Sequence, residues 1–378
     1  MTSLYDVRRR SAWQIIKSIL AYIDWWIVLI ITVLMAASLF ILHSTSPTGA
    51  TVNRQILRFI GGWLLFIGFL SIPAQKIRQI TPYLYGLTIV LLIAVMFAGV
   101  NAGGAKRWIN IGIARLQPSE IAKLTVPLLV AWYVTRQARP PNLINVIIAL
   151  AIIAFPTGLI LIEPDLGTAL LVAAAGLIAL IFAGLPIWMM GVGGLLAAIG
   201  LPLFWFFGIK DYQRERVLTL FNPDADPWGA GYHIIQSKIA IGSGGLFGKG
   251  YMNGTQSQLD FLPESSTDFI FSVIAEEFGL IGVSILLVTY SLLIFRGLYL
   301  STKLDNRFAR IVVASIFSTF FINIFVNIGM VSGFLPVVGL PLAMISYGGS
   351  SVLSLMTGFA LALNLIGGFK TRKEQEHL

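Results

Sequence analysis

The chain has 378 residues, 57% of them hydrophobic and 11% charged, a balance that excludes a water-soluble fold. Its net charge of +9 raises nucleic acid as a partner, but the placement of the charges argues against it. The absence of cysteine excludes disulfides, thiolate metal sites and a cysteine nucleophile.

Arg8, Arg9 and Arg10 precede an apolar run too long for a cleaved signal, so the N-terminal segment is read as retained. Apolar stretches then predict ten membrane-crossing helices, at 25–42, 57–72, 82–100, 119–134, 143–162, 166–184, 187–208, 269–295, 311–332 and 350–366. An even number brings both termini to one side. Fifteen of the 26 basic residues fall on that side, ten on the other, and Lys123 lies within a helix. The positive-inside rule therefore places the termini in the cytoplasm and makes the basic residues topological determinants rather than nucleic-acid contacts. Twelve of the 17 acids lie at or beyond the outer helix ends, which marks the outer face as the chemical one. The expected architecture is an all-α polytopic membrane protein forming a single domain over 1–378. It comprises a cytoplasmic segment at 1–22, a large extracytoplasmic loop at 209–268 between the seventh and eighth helices, and a cytoplasmic tail at 369–378.

Four outer constellations carry candidate chemistry. In GGAKRWINIGIARLQPSEIAK, Lys106, Arg107 and Arg115 precede a helix start at which Ser119 is a candidate N-cap. Glu120 and Lys123 are three apart, share a helix face and can pair. A lysine one turn into a membrane helix needs such a partner or a wet cavity. Glu163-Pro164-Asp165 forms a tight turn whose two carboxylates call for a cation or hydroxyl nearby, although Asp165 could equally be a helix cap. In the long loop, Asp211, Arg214, Glu215 and Arg216 mix both signs, and Tyr232, Ile235 and Ile239 repeat at helical spacing, with Lys238 turned elsewhere. That pattern suits an interfacial helix. Lys249 among glycines does not complete a phosphate loop, because Ser243 stands where the first glycine belongs and Gly250 where Ser or Thr is needed. Finally, Ser265, Ser266 and Thr267 offer capping hydroxyls before Asp268, which leaves Asp268 free of that duty, and Glu276 and Glu277 follow within the same helix.

KRWINIG…QPSEIAK, EPDLGTA, DYQRERV, PDADPWGAGYHIIQSKIAIGSGGLFGKG, FLPESSTDFIFSVIAEEFG and NIGMVSGFLPVVGLPLAMISYGGSS together resemble the SEDS family (shape, elongation, division, sporulation), and its rod-shape branch more than its division branch. The resemblance runs from the first helix to the last. It implies a peptidoglycan glycosyltransferase that polymerises lipid II at the outer, periplasmic face of the bacterial cytoplasmic (inner) membrane. Its implied partners are a class B penicillin-binding protein and the elongation complex, with no nucleic acid. It also implies that Asp268 is the essential carboxylate and that Lys106, Arg107, Glu120, Lys123, Asp165, Arg216, Lys238 and Thr267 accompany it.

Inverting transfer needs a base for the attacking hydroxyl and cations for the departing pyrophosphate. Asp268 is the candidate base. Lys123, Arg107 and Lys106 are candidates for the pyrophosphate, and Arg216 and Lys238 for a second lipid substrate. A divalent cation, magnesium or manganese, remains open. The rival readings are a lipid II flippase, another lipid-linked sugar polymerase or ligase, a division paralogue, and a structural scaffold. A transporter usually holds its polar site near the midplane on repeat-related broken helices, and no repeat is visible here.

Overall fold

The computed structural model describes residues 23–46, 49–102, 105–110, 112, 115–136, 141–208, 211–226, 229–259, 261–262 and 264–376. The expected cytoplasmic segment 1–22 lies outside them.

All ten predicted helices are present: α1 (Trp25–Thr45), α2 (Ala50–Leu70), α3 (Ala74–Ala98), α4 (Pro118–Val134), α5 (Leu143–Ile162), α6 (Leu166–Phe182), α7 (Ile187–Phe207), and, after the long loop, α11 (Ile270–Thr302), α12 (Arg307–Val331) and α13 (Ser350–Glu376). Seven of them, α1, α3, α5, α7, α11, α12 and α13, are long and apolar enough to cross a membrane on length and composition. The chain is thus an all-α polytopic membrane protein. Helix α11 runs past its predicted end at residue 295 because Arg296 continues it and grips Asp24, the N-cap of α1, at 2.6 and 3.1 Å. The 369–378 tail begins as a continuation of α13, which extends to Glu376.

Helices α4, α6, α12 and α13 carry much of the buried core, including Val126, Val172, Phe317 and Phe359. Along α7 no described residue is buried, the pattern of an apolar helix facing lipid. The long loop is largely helical: α8 (Asp211–Phe221), a short 3-10 turn at Pro223–Ala225, α9 (Ala230–Ser243) and α10 (Thr255–Gln258). On α9 the buried stripe is Ile234, Ser237 and Ala240, while Ile239 is exposed and Tyr232 and Ile235 are half-buried.

Three expectations are corrected. The connection between α3 and α4 is a small antiparallel sheet in the order β1 (Val100–Ala102), β2 (Ala105–Asn110), β3 (Arg115–Leu116). Ser119 does not cap α4: Pro118 takes the first helical position, which its fixed φ favours, so the cap falls on Gln117 and Ser119 Oγ is buried without a partner. Nor do Ser265, Ser266 and Thr267 cap α11, whose N-cap is Phe269.

Helix α11 is broken at Gly279, whose φ of 63° and ψ of −161° suit glycine alone. The loop after α9 fills the break. The Lys249 and Gly250 amides donate to the Glu276 and Glu277 carbonyls at 2.9 and 3.0 Å, and the Leu280 and Ile281 amides donate to the Gly245 and Leu246 carbonyls at 2.9 and 3.1 Å. These bonds satisfy the backbone groups that a helix break leaves without partners. The Glu276 carboxylate, fully buried, accepts from Lys249 Nζ at 2.7 Å and the Gln256 amide at 2.9 Å, and Glu277 accepts from Ser44 Oγ.

Candidate active site

Asp268 belongs to a turn at 264–269 in which the Thr267 and Phe269 amides donate to the Glu264 carbonyl at 3.1 and 3.2 Å. Thr267 Oγ1 donates to the Glu264 carboxylate at 2.6 Å, so its hydroxyl braces the turn. The turn is then buckled to a non-helical segment at 333–349, between α12 and α13. The Tyr347 amide donates to the Ser266 carbonyl at 2.8 Å and Ser346 Oγ to the Thr267 carbonyl at 2.5 Å. Asn327 Nδ2 on α12 bridges the carbonyls of Asp268 and Leu340 at 2.9 and 2.6 Å. The Asp268 backbone is thus held by Asn327. Asp268 Oδ2 faces Gly339, where a β-carbon would approach it to 3.5 Å. Burial pushes the Asp268 carboxyl up to about 6, with Glu264 adding to the rise and Arg216 opposing it. A carboxylate so placed suits proton abstraction near neutral pH.

Two cations from the long loop border the same segment. Arg216 on α8 donates from Nη1 to the Val337 carbonyl at 3.3 Å. Lys238 on α9 lies over Gly333, where a β-carbon would come within 2.7 Å of Nζ. His233, not singled out in the sequence, stacks on Phe269 with ring centroids 5.5 Å apart, and burial lowers its pKa.

A second group gathers at the 163–165 turn. Asp165 is indeed a cap, accepting from the Thr168 amide at 3.2 Å, and it also accepts from Gln117 Nε2 at 3.1 Å. The expected cation is Arg107 on β2, which donates to the carbonyls of Glu163 and Pro164 and stands 3.9 Å from Asp165. Burial pushes Glu163 up to about 8, with Asp165 adding and Arg107 opposing. Lys106 neighbours Arg107 on the strand and so turns to the opposite face, where it is exposed. The turn meets the 333–349 segment at Gly167, where a β-carbon would lie 2.8 Å from the Val338 carbonyl.

The third group is Glu120 and Lys123 on α4, paired at 2.7 Å with side chains 6% and 7% exposed. Ser354 Oγ on α13 donates to the Glu120 carbonyl at 3.1 Å. Beside Lys123 lies a small cavity of about 30 Å3, lined also by Thr319, Phe320, Asn323, Ser354 and Gly358 among others. Asp268, Thr267, Arg216 and Lys238 thus each meet the 333–349 segment, and Gly167, two residues past Asp165, touches it at Val338. Among the described residues no cluster of three or more His, Asp or Glu side chains is placed to hold a metal ion.

Fold and site define a polytopic membrane protein with carboxylates and cations gathered at one end of its bundle. A family model described as cell cycle protein, that of FtsW, RodA and SpoVE, matches residues 17–368, and the chain belongs to this family, the SEDS proteins. It is 48% identical over 345 residues to the peptidoglycan glycosyltransferase MrdB of Escherichia coli K12, covering 91% of this chain and 93% of that one. Among solved structures it is similar to a chain reported under "Structural coordination of polymerization and crosslinking by a peptidoglycan synthase complex", with TM-score 0.80, 32% identity, and 91% and 97% of the two chains covered. It is also similar to the rod shape determining protein RodA of Thermus thermophilus, with TM-score 0.70, 28% identity, and 91% and 96% covered.

Proposed function

We propose that the chain is a peptidoglycan glycosyltransferase that polymerises lipid II for cell elongation and rod shape, with Asp268 as general base. The observation that carries this mechanism is the setting of Asp268: a carboxyl raised to about 6, its backbone pinned by Asn327, and its side chain near Arg216 with no hydrogen-bond partner among the described residues. In the reaction, the acceptor sugar's 4-hydroxyl oxygen bonds to the donor's anomeric carbon and its proton passes to the Asp268 carboxylate. The anomeric carbon's bond to the pyrophosphate breaks, and its configuration inverts from α to β. Lys123 and Arg107 receive the departing pyrophosphate charge, where charge-assisted contacts are strongest, and Lys106, on the opposite face of the strand, is left out of that role. Arg216 and Lys238 hold the second lipid substrate. Thr267 keeps the base's turn closed through Glu264, and Asp165 orients Arg107. The described residues build no protein cage for magnesium or manganese, so no step is assigned to a metal.

All of 1–378 acts as one membrane domain with ten crossings, both termini in the bacterial cytoplasm and the 209–268 loop in the periplasm. The grouping of Glu120, Asp165 and Asp268 at one end and of Arg78, Arg136 and Arg296 at the other supports this orientation. The partner is a class B penicillin-binding protein within the elongation complex, consistent with the crosslinking assembly to which the chain is similar.

The test is incubation of purified lipid II with this chain and its class B partner, scoring glycan strands on a gel. Strands are expected; an intact complex that yields none would favour transport or scaffolding.

A further inference from the structure

Arg58 is a cation that neither the sequence reading nor the proposed mechanism uses. It stands eight residues past Ala50, the first residue of α2, and so ~12 Å along that helix. This part of α2 touches the Asp268 assembly directly: Gln55 Nε2 donates to the Ser346 carbonyl at 3.4 Å, and Ser346 Oγ donates to the Thr267 carbonyl at 2.5 Å. The Arg58 guanidinium stacks on the ring of Tyr347, with Cζ 3.9 Å from the centroid. That ring is itself anchored, because the Tyr347 amide is bonded to Ser266 at 2.8 Å.

The guanidinium has five N–H donors; among the described residues it makes a long hydrogen bond of 3.5 Å to Gln55 Oε1 and a second to the Tyr347 side chain, which leaves most of them for another acceptor. No described carboxylate stands at ion-pair distance from it, nor from Arg54 one turn nearer the helix start. Two arginines four apart on one helix face repel each other, and a cation within a membrane helix is kept where an anion or water reaches it. Gly348 and Gly349 follow the stacked tyrosine, so no side chain from those positions covers the guanidinium; a β-carbon at Gly349 would lie 3.4 Å from Arg58 Nε. Stacking fixes the plane and leaves the donor edge for a bidentate acceptor, the geometry that arginine offers to phosphate.

We propose that Arg58, with Arg54 above it, binds the phosphate of a lipid headgroup beside the Thr267–Asp268 turn. The phosphate belongs either to the pyrophosphate of a polyprenyl-linked substrate or to the phosphodiester of an anionic phospholipid. Only the first source rests on the glycosyltransferase reading.

Purified full-length chain in micelles would be titrated with undecaprenyl pyrophosphate and, separately, with phosphatidylglycerol, comparing wild type, Arg58→Gln and Arg58→Lys by native mass spectrometry. Arg58→Gln is expected to weaken at least one lipid by about tenfold or more, the effect of losing a charge-assisted contact. The lipid affected identifies the source, and loss of both assigns a general phosphate site. Unchanged binding of both lipids overturns the proposal, even if the melting temperature falls, because a purely structural stack would move stability alone. Should Arg58→Gln fail to fold, Arg58→Lys decides: it keeps the charge and loses the fork, so binding weakened for either lipid supports the proposal and wild-type binding of both overturns it. A wild type that binds pyrophosphate but polymerises nothing would sink the glycosyltransferase reading and leave this site standing.

Discussion

Replacing Lys123 with methionine separates a structural ion pair from a substrate contact. The pair with Glu120 is buried on both sides, 2.7 Å apart, and Glu120 Oε2 already has no partner. Lys123→Met therefore strands a carboxylate in the bundle, which costs ~3–5 kcal/mol when one member of a buried pair is removed. The double variant Glu120→Gln/Lys123→Met removes both charges at nearly constant volume. It should recover all but ~1 kcal/mol of that loss, as neutral replacement of buried pairs commonly does. Stability would be read as thermal unfolding in micelles, and function as lipid II polymerisation with the class B partner. The double variant should regain stability while polymerisation stays at the level of the single variant. A double variant that regains both would reduce Lys123 to a structural residue and refute its assignment to the pyrophosphate.

Polymerisation should fall about tenfold per pH unit below about 6, as the Asp268 base becomes protonated; a rate flat from pH 7 to 5 would count against that role. The same raised carboxyl makes ionised Asp268 a burden on the fold. The stability advantage of Asp268→Asn should grow as pH rises from ~4, the unfolded value, towards about 6 and hold constant above, measurable as melting temperature against pH. Gly167→Ala puts a methyl 2.8 Å from the Val338 carbonyl, so it should shift the 333–349 segment and cut polymerisation more than it lowers the melting temperature. Thr267→Ser keeps the hydroxyl that meets Glu264 at 2.6 Å and should be nearly silent, whereas Thr267→Val should lose activity.

The helices were legible because each is an apolar run of membrane-crossing length, and the Glu120–Lys123 pair because three residues on a helix return to one face. The cation expected at the 163–165 turn was found as Arg107. What escaped has no hydropathy signature. Strands of two to six residues in a glycine-rich loop carry too few alternations to register, so the sheet at 100–116 read as coil. The 333–349 segment is apolar, like its flanking helices, yet serves through its backbone carbonyls and amides, which no side-chain pattern reports. Asn327 was visible as a polar residue inside an apolar helix, a signal that could have marked it. Lys106 and Arg107 read as one cationic pair only until the strand sent them to opposite faces. Ser119 misled because Pro118 moved the helix start by one residue.

Asp268→Asn removes the base and little else, because amide for carboxylate preserves size and turn geometry. With the variant and its class B partner co-purified as an intact complex, strand synthesis from lipid II would be followed beside the wild type. If Asp268 is the base, the wild type makes strands and the variant makes none. Strands from the variant at the wild-type rate would contradict that assignment and send the search for the base to Asp165, Glu120 or Glu276.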